Sequence, residues 1–186
     1  GIANTFNAGA GTDTINYSNI TSAVTVDLFN GNATGADIGT DTLLNFENAT
    51  GGLGNDTFVS STANNVFSGG IGVDTVSYVN ATGAVNVNLA TGAVTGHGSD
   101  TLNSIENVIG SSFNDTFIDT NANNNNIFSG GAGIDTVSYG LANVAVTVNL
   151  ALGTATGRGS DTLISIENAI GGAGADTFIG DANNNT

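Results

Sequence analysis

A glycine-rich turn that ends in aspartate and continues into a short strand recurs through this sequence. Residues 69–77 read GGIGVDTVS, residues 130–138 read GGAGIDTVS, and residues 51–59 and 171–179 follow the same pattern. Glycine takes the positive-φ conformations that turn backbone carbonyls into a concave loop. A hard cation such as Ca²⁺ takes six to eight oxygens, from carboxylates and carbonyls, at about 2.3–2.6 Å. The pattern therefore predicts calcium loops.

The candidate ligands follow from the repeated pattern. Nine aspartates are followed by threonine and then by an apolar residue, and each is a candidate ligand: Asp13, Asp41, Asp56, Asp74, Asp100, Asp115, Asp135, Asp161 and Asp176. The glycines expected to shape the clearest loops are Gly9, Gly11, Gly52, Gly54, Gly70, Gly72, Gly131, Gly133, Gly172 and Gly174. Nine aligned carboxylates would repel one another without counter-ions. Nine stacked loops enclose eight gaps, which predicts up to about eight Ca²⁺ ions.

Some of these loops depart from the pattern. In loop 110–115, Ser111 and Phe113 replace the glycines of the second and fourth positions. Because residues other than glycine rarely adopt positive φ, this loop is expected to form a weak or differently built site. The long loops that end in Asp41, Asp100 and Asp161 keep only part of the pattern.

The loops lie within a longer repeat. Asp13, Asp74 and Asp135 recur at one constant spacing, and Tyr17, Tyr78 and Tyr139 recur at the same spacing. Self-similarity at a fixed period is typical of a solenoid, in which each unit buries its apolar face against its neighbours. The interpretation is a single domain, residues 1–186, made of three long repeats at approximately 4–64, 65–125 and 126–186.

The fold expected from these repeats is an all-β parallel β-roll or β-solenoid of about nine coils. Two positions after each Asp-Thr aspartate comes an apolar residue, which should face inward while the threonine faces outward. One aspartate loop per coil would place all nine on a single edge of a rod about 43 Å long. Longer loops, such as residues 90–99, are expected to protrude from that edge.

Composition restricts the possible partners. Sixteen acidic residues stand against one basic residue, a formal charge of −15. Nucleic acid and anionic membranes are therefore excluded as natural partners, and no apolar run predicts membrane insertion. Cations are the natural partners. Cysteine and lysine are absent and histidine occurs once, so the sequence does not predict an enzyme.

A recurrent Ile/Phe-Glu-Asn unit contains Glu47, Glu106 and Glu167. These carboxylates either add calcium ligands on the edge opposite the aspartate loops or cap backbone amides at a turn. The absence of nearby glycines favours capping.

The nonapeptide resembles the repeats-in-toxin (RTX), or hemolysin-type, calcium-binding repeat, and the resemblance extends over nearly the whole chain. It implies a calcium-rigidified structural segment of a larger secreted or cell-surface bacterial protein. Such segments leave the cell unfolded and fold on meeting external calcium. The alternatives are a self-assembling subunit of a filament or surface layer, an accessory module of an exported hydrolase, and an ice-binding solenoid based on the threonine column. Neither end carries a capping helix or a proline, which predicts head-to-tail self-association.

Overall fold

The chain folds into β-strands joined by turns. A computed structural model describes residues 1–119 and 124–185, and these contain no helix. Glycine, asparagine, threonine and β-branched residues dominate the sequence, and all of them disfavour helices relative to turns and strands. The predicted all-β class is confirmed. Residues 120–123 and 186, which fall within the second and third predicted repeats, lie outside the described residues.

Twenty-one short strands make up the described structure. They are β1 (Thr5–Asn7), β2 (Thr14–Asn16), β3 (Val24–Asp27), β4 (Asn32–Gly35), β5 (Gly39–Leu44), β6 (Asn48–Thr50), β7 (Thr57–Val59), β8 (Val66–Ser68), β9 (Thr75–Ser77), β10 (Asn86–Asn88), β11 (Ala93–Thr95), β12 (Ser99–Asn103), β13 (Asn107–Ile109), β14 (Thr116–Ile118), β15 (Ile127–Ser129), β16 (Thr136–Ser138), β17 (Thr147–Asn149), β18 (Thr154–Thr156), β19 (Ser160–Ile164), β20 (Asn168–Ile170) and β21 (Thr177–Ile179).

These strands form two sheets, between which the chain winds. One sheet has twelve strands in the order β1-β5-β4-β3-β7-β9-β13-β15-β19-β18-β17-β21. The other has nine, in the order β2-β6-β8-β12-β11-β10-β14-β16-β20. Every pairing is parallel except those made by β4, β11 and β18. The architecture is the predicted parallel β-roll, with both sheets open at their ends.

The three antiparallel strands were not predicted. Residues 90–99, expected to protrude, instead contain β11, which lies within the sheet between β10 and β12. Val94 of β11 is buried, so the strand contributes to the core rather than to a surface loop. Gly92, with φ of 72°, forms the turn into β11, and a Cβ there would collide with the carbonyl oxygen of Leu102. The prediction of a bulging loop is therefore wrong.

The antiparallel strands determine the sheet on which each long repeat starts. From β2 to β9, which is one long repeat, the chain crosses between the sheets five times. Because five is odd, each repeat starts on the sheet opposite the previous one. We call edge 1 the side where the chain passes from the nine-stranded to the twelve-stranded sheet, and edge 2 the side where it returns.

The prediction that all nine aspartates share one edge is therefore wrong. Five of them lie near the start of strands in the twelve-stranded sheet, on edge 1: Asp41, Asp56, Asp74, Asp161 and Asp176. The other four, Asp13, Asp100, Asp115 and Asp135, have the same relation to the nine-stranded sheet, on edge 2.

The core lies between the sheets. Eight of the nine apolar residues that follow the aspartates are buried, as predicted. Phenylalanine side chains pair across the core, with ring centroids 5.3 Å apart for Phe58 and Phe67 and 5.7 Å apart for Phe117 and Phe128. Such pairs add about 0.5–1.5 kcal/mol beyond the burial of their area. The exception is Phe178, on the last strand, which is 51% exposed.

Candidate metal centres

Six glycine loops of the described residues join the two sheets, three on each edge. Edge 1 carries loops 51–56, 69–74 and 171–176, and edge 2 carries loops 8–13, 110–115 and 130–135. Two pairs of these loops stack directly: 51–56 with 69–74, and 110–115 with 130–135.

Both stacked pairs are held by the same side-chain bond. In the first pair, the Val73 amide donates to Asn55 Oδ1 at 3.0 Å, and Ile134 donates to Asn114 Oδ1 at 3.0 Å in the second. The two asparagines come immediately before an aspartate, at a position that holds an apolar residue in loops 69–74 and 130–135. This difference in sequence separates the two members of each pair.

The members of a pair also differ in backbone conformation. Three loops place glycine at positive φ in their second and fourth positions: Gly9 (91°) and Gly11 (148°), Gly70 (105°) and Gly72 (142°), and Gly131 (99°) and Gly133 (134°). A Cβ on Gly70 would also collide with the carbonyl oxygen of Gly52 in the facing loop. Glycine is required there both by its own φ and by its neighbour. We call these the open loops.

The other three loops, 51–56, 110–115 and 171–176, contain no residue at positive φ and are called the closed loops. In two of the closed loops, 51–56 and 110–115, the carboxylate bends back onto its own backbone. Asp56 Oδ2 accepts from the Gly52 amide and Asp115 Oδ2 from the Ser111 amide, both at 2.5 Å. Because closed loops need no positive φ, Ser111 and Phe113 fit in loop 110–115. Loop 110–115 is therefore built differently from the open loops, which is one of the two outcomes expected for it.

Carboxylates connect successive turns of edge 1 through backbone amides. Val24 N donates to Asp56 Oδ1 at 2.8 Å, and Asp56 N donates to Asp74 Oδ1 at 2.7 Å. Asp74 N then donates to Glu106 Oε2 at 2.9 Å. Each acidic side chain thus caps the turn next to it, and we call this series a carboxylate ladder. Charge-assisted bonds of this kind are among the stronger ones in proteins.

Edge 2 carries the same ladder one repeat later. Val85 N donates to Asp115 Oδ1 at 2.8 Å, Asp115 N to Asp135 Oδ1 at 2.7 Å, and Asp135 N to Glu167 Oε2 at 2.8 Å. The capping role preferred for the Ile/Phe-Glu-Asn glutamates is therefore the one that the structure shows. Their expected place opposite the aspartate loops is wrong, because they stack beside those loops.

Parts of the same ladder lie at the two ends of the roll. At the first end, Asp13 N donates to Glu47 Oε2 at 2.9 Å. At the last end, Asp176 Oδ1 accepts from Val146 N at 2.9 Å.

The open loops contain buried carboxylate oxygens without a partner. Oδ2 of Asp13, Asp74 and Asp135 is buried, and none of these three atoms has a hydrogen-bond donor among the described residues. Asp74 and Asp135 are fully buried as whole residues. Leaving a buried polar group unsatisfied costs about 1–3 kcal/mol, and more when it is charged. A cation beside each oxygen would remove that cost.

The raised pKa values of two open-loop aspartates also favour a cation at these sites. The pKa of Asp74 is raised to about 6, chiefly because burial disfavours the charged form. The Asp56 amide partly opposes the increase, whereas the Asp56 and Glu106 carboxylates add to it. The pKa of Asp135 is raised to about 6 for the same reasons, with Asp115 and Glu167 as the neighbouring carboxylates. A divalent cation would lower both pKa values.

The three aspartates of the long loops have other surroundings. Asp41, Asp100 and Asp161 lie inside strands β5, β12 and β19, rather than in glycine loops, and all three are buried. Asp41 Oδ2 accepts from the Tyr17 hydroxyl at 2.8 Å, and Asp161 Oδ2 from Tyr139 at 2.7 Å.

Backbone amides occupy the other oxygen of these three carboxylates. Asn4 N donates to Asp41 Oδ1 at 2.9 Å, Asn65 N to Asp100 Oδ1 at 2.8 Å, and Asn126 N to Asp161 Oδ1 at 3.0 Å. The repeated tyrosines were visible in the sequence, but their partners were not. Each tyrosine directly follows one strand, and its aspartate lies in another strand far along the chain.

The donor set identifies the kind of metal that would fit. No three His, Cys, Asp or Glu side chains of the described residues form a group that could hold a metal ion. An ion between stacked loops would therefore take most of its oxygens from backbone carbonyls and only a few from carboxylates. Such a hard, all-oxygen site suits Ca²⁺. Zn²⁺ prefers histidine or thiolate ligands, and the chain has one histidine and no cysteine.

Comparison with protein families agrees with the geometry. The sequence matches the family described as RTX calcium-binding nonapeptide repeat (4 copies) over residues 3–18, 50–78 and 166–186. These three segments carry RTX calcium-binding repeats. The comparison with curated proteins found no match. Loop 130–135 lies outside the matched residues, yet it repeats the φ angles and the ladder bonds of loop 69–74. None of the described segments forms a helix that could span a membrane.

Proposed function

We propose that this chain is a calcium-dependent structural module that binds one Ca²⁺ between the loops of each stacked pair. One ion would lie between loops 51–56 and 69–74 on edge 1, and one between loops 110–115 and 130–135 on edge 2. The proposal rests on Oδ2 of Asp74 and of Asp135, which are buried and have no hydrogen-bond donor among the described residues. Carbonyls of the two loops would complete each site.

This arrangement supports fewer ions than the eight expected from an unbroken stack. The three antiparallel strands and the alternation of edges separate the glycine loops, so only two pairs are in direct contact. The carboxylates of the three long loops would instead stabilise the core, by accepting hydrogen bonds from tyrosine hydroxyls or backbone amides. They belong to Asp41, Asp100 and Asp161.

Calcium would also drive folding. The chain carries a formal charge of −15 and 28 glycines, so compaction brings charges together and costs much backbone entropy. A site that exists only in the folded chain adds its binding free energy to folding. Without calcium we expect a largely disordered chain, and with calcium a rigid β-roll.

A calcium titration followed by circular dichroism and isothermal calorimetry tests the proposal. We expect a cooperative gain of β signal and about two ions bound per monomer. Asp74→Asn and Asp135→Asn should each lose about one ion, and the double variant both. Asp37→Asn is the matched control, because Asp37 is exposed and lies outside the glycine loops. Unchanged spectra in chelator and in millimolar calcium would refute the proposal.

We further propose that the module belongs to a secreted or cell-surface protein. Its sites combine few carboxylates with backbone carbonyls, which suits the weak affinities of extracellular calcium modules, about 10⁻⁴–10⁻³ M. The folding midpoint should fall in that range. A midpoint far below a micromolar would instead fit a protein that works at cytosolic calcium.

A further inference from the structure

The single histidine of the chain, His97, is buried in the second long repeat. It lies in the turn that joins β11 to β12, and only 4% of its surface is exposed. Gly96 and Gly98 flank it with φ of 105° and 81°, and a Cβ on either would collide with a backbone carbonyl of segment 78–85 or 60–65. The turn is therefore packed closely against both segments and holds the imidazole inside.

The imidazole faces two other titratable groups. The ring of Tyr78 lies edge-on to that of His97, with centroids 6.3 Å apart and an interplanar angle of 88°. The carboxylate of Asp100, three residues further along the hairpin, is close enough for its charge to interact with that of the imidazole. Segments 60–65 and 78–85 contain no charged residue, and neither do the flanking strands β8 and β10. Among these elements, Asp100 alone offers a charge to His97.

Two polar atoms at this place are buried without a partner. Nε2 of His97 has no hydrogen bond among the described residues. The Tyr78 hydroxyl is also buried and lies near Asp100, but not in hydrogen-bonding geometry. The equivalent tyrosines of the first and third repeats do donate to their aspartates. The second repeat therefore lacks a bond that the other two make.

Ser60 replaces that bond only in part. Its Oγ lies 3.0 Å from Asp100 Oδ2, 3.0 Å from Asn65 Oδ1 and 3.1 Å from the carbonyl oxygen of Ser61. A serine hydroxyl has one hydrogen to donate, so three acceptors compete for it. Asp100 Oδ2 is thus short of a donor, and the orphaned Nε2 of His97 belongs to the same buried cluster.

The three repeats differ at the position of His97. Each of the hairpins β4–β5, β11–β12 and β18–β19 places one residue three positions before its buried aspartate, and these residues are Ile38, His97 and Arg158. Isoleucine is never charged and arginine always is, whereas histidine changes charge near neutral pH. The third repeat also has a second carboxylate near Tyr139, that of Asp119, where the second repeat has Ser60. The charge at this position therefore differs along with the acidic groups beside it.

Burial gives the folded hairpin a reason to bind a proton. It raises the pKa of Asp100, and the hydrogen bonds of Asn65 and Ser60, the Tyr78 hydroxyl and the charge of His97 oppose the increase. A proton taken up by the cluster either neutralises the carboxylate or gives it a counter-ion. Imidazole is the more basic of the two groups, so the proton goes to the imidazole.

We propose that His97 makes the β11–β12 hairpin a pH-sensitive element of the roll. In acid, one proton from solvent binds Nε2, and the imidazolium becomes the counter-ion of Asp100. In alkali, the proton returns to solvent, Nε2 is again without a partner, and the hairpin opens more readily. The folded state then binds more protons than the unfolded state, so this contribution to stability falls as pH rises. The inference does not rest on calcium binding, because neither residue lies in a glycine loop.

Amide hydrogen exchange of the full chain in saturating calcium, at pH 5 and at pH 8, tests the proposal. Leu102 N donates to Gly92 O at 2.7 Å within this hairpin, and Leu163 N donates to Gly153 O at 2.8 Å at the same place in the third repeat. After correction for intrinsic exchange, the opening equilibrium at Leu102 should decrease several-fold at pH 5. Leu163, beside a buried aspartate and a permanent cation, should respond less.

Two variants provide matched controls, because both residues already occupy this position in other repeats. His97→Arg should keep Leu102 protected at both pH values, and His97→Ile should leave it weakly protected at both. Asp100→Asn should also remove the pH response. Since the chain has one histidine, its imidazole nitrogen signals are unambiguous. In the folded chain at pH 5 they should show both nitrogens protonated, with the Nε2 proton sheltered from solvent.

Each outcome decides for or against the hairpin. Equal pH responses at Leu102 and Leu163, or an undiminished response in His97→Arg, overturn the proposal. An imidazole that gains its proton only when the chain unfolds overturns it too. If a variant does not fold, the wild-type comparison of Leu102 with Leu163 and the imidazole signals still decide. None of these results bears on the number of calcium ions bound, so failure here leaves the proposed function standing.

Discussion

The backbone amide of Asp56 donates to the carboxylate of Asp74 across two stacked loops, at 2.7 Å. The amide belongs to a closed loop, whose own carboxylate is turned inward onto Gly52. The carboxylate belongs to an open loop and keeps its second oxygen buried without a donor. One loop of each pair is thus completed by protein atoms alone, and the other requires a further positive charge.

Glu106 tests whether the glutamates cap amides or bind metal. Its Oε2 accepts from the Asp74 amide at 2.9 Å. Glu106→Gln keeps an acceptor and should leave calcium affinity and stability nearly unchanged. Glu106→Ala leaves the amide unpaired and should lower the free energy of unfolding by about 1–3 kcal/mol. Denaturant melts and calcium calorimetry of both variants distinguish the two roles. A clear loss of calcium affinity in Glu106→Gln would show that Glu106 is a calcium ligand.

The strand pattern and the calcium loops could be predicted from the sequence because they depend on local chemistry. Alternation of Thr75 and Val76 determines which side chain is buried, and Gly70 and Gly72 permit positive φ wherever the loop lies. Both predictions needed only neighbouring residues.

The edge on which each loop lies could not be predicted from neighbouring residues. Which edge a loop occupies depends on how many times the chain has crossed before it, and so on whether residues 90–99 protrude or join the sheet. The inward position of Val94 decides that, and it depends on packing against the opposite sheet. Two of the three closed loops had a local signal in Asn55 and Asn114, but its meaning became clear only beside the facing loop. Loop 171–176 has Ala175 at that position and lacked the signal.

Three glycines separate the effects of backbone conformation and crowding. Gly83 has neither positive φ nor atoms near an added Cβ, Gly9 has φ of 91° with open space, and Gly70 has φ of 105° and faces the Gly52 carbonyl. Replacement by alanine should be neutral or stabilising by up to about 1 kcal/mol at Gly83. It should cost about 1–3 kcal/mol at Gly9 and more at Gly70. Denaturant melts in calcium measure the series, and equal effects at Gly9 and Gly83 would contradict the φ argument.

Acid should partly replace calcium. In the folded state without calcium, burial raises the pKa of Asp74 and of Asp135 to about 6, above the usual value of 3.8. The folded state therefore binds more protons than the unfolded state between those pH values, and the contribution of these groups to stability falls as pH rises through that window. In chelator, lowering the pH from 7 to 5 should increase β structure or the free energy of unfolding.

The double variant Asp74→Asn/Asp135→Asn is the control for the acid effect, because asparagine resembles the protonated acid. Its response between pH 5 and 7 should be flatter, with the remaining slope due to Asp100 and Asp161, whose pKa values burial also raises. A wild-type chain in chelator that steadily loses structure as the pH falls from 7 to 5 would show that other groups dominate.

Tyr139 and Asp161 distinguish a core carboxylate from a calcium ligand. The Tyr139 hydroxyl donates to Asp161 Oδ2 at 2.7 Å, and both residues are buried. Tyr139→Phe removes the donor without opening a cavity and leaves Oδ2 unpaired, so it should lower the free energy of unfolding by about 1–3 kcal/mol. The number of bound calcium ions should not change, because neither residue lies in a glycine loop.

Tyr17→Phe provides the matched test at the first repeat, since Tyr17 donates to Asp41 at 2.8 Å in the same way. Its hydroxyl lies nearer the end of the roll and is less deeply buried, so we expect a smaller loss of stability than for Tyr139→Phe. Denaturant melts and calorimetry in saturating calcium measure both quantities for both variants. Loss of a calcium ion in either variant, with the β spectrum retained, would assign Asp41 and Asp161 to metal sites and overturn their role in the core.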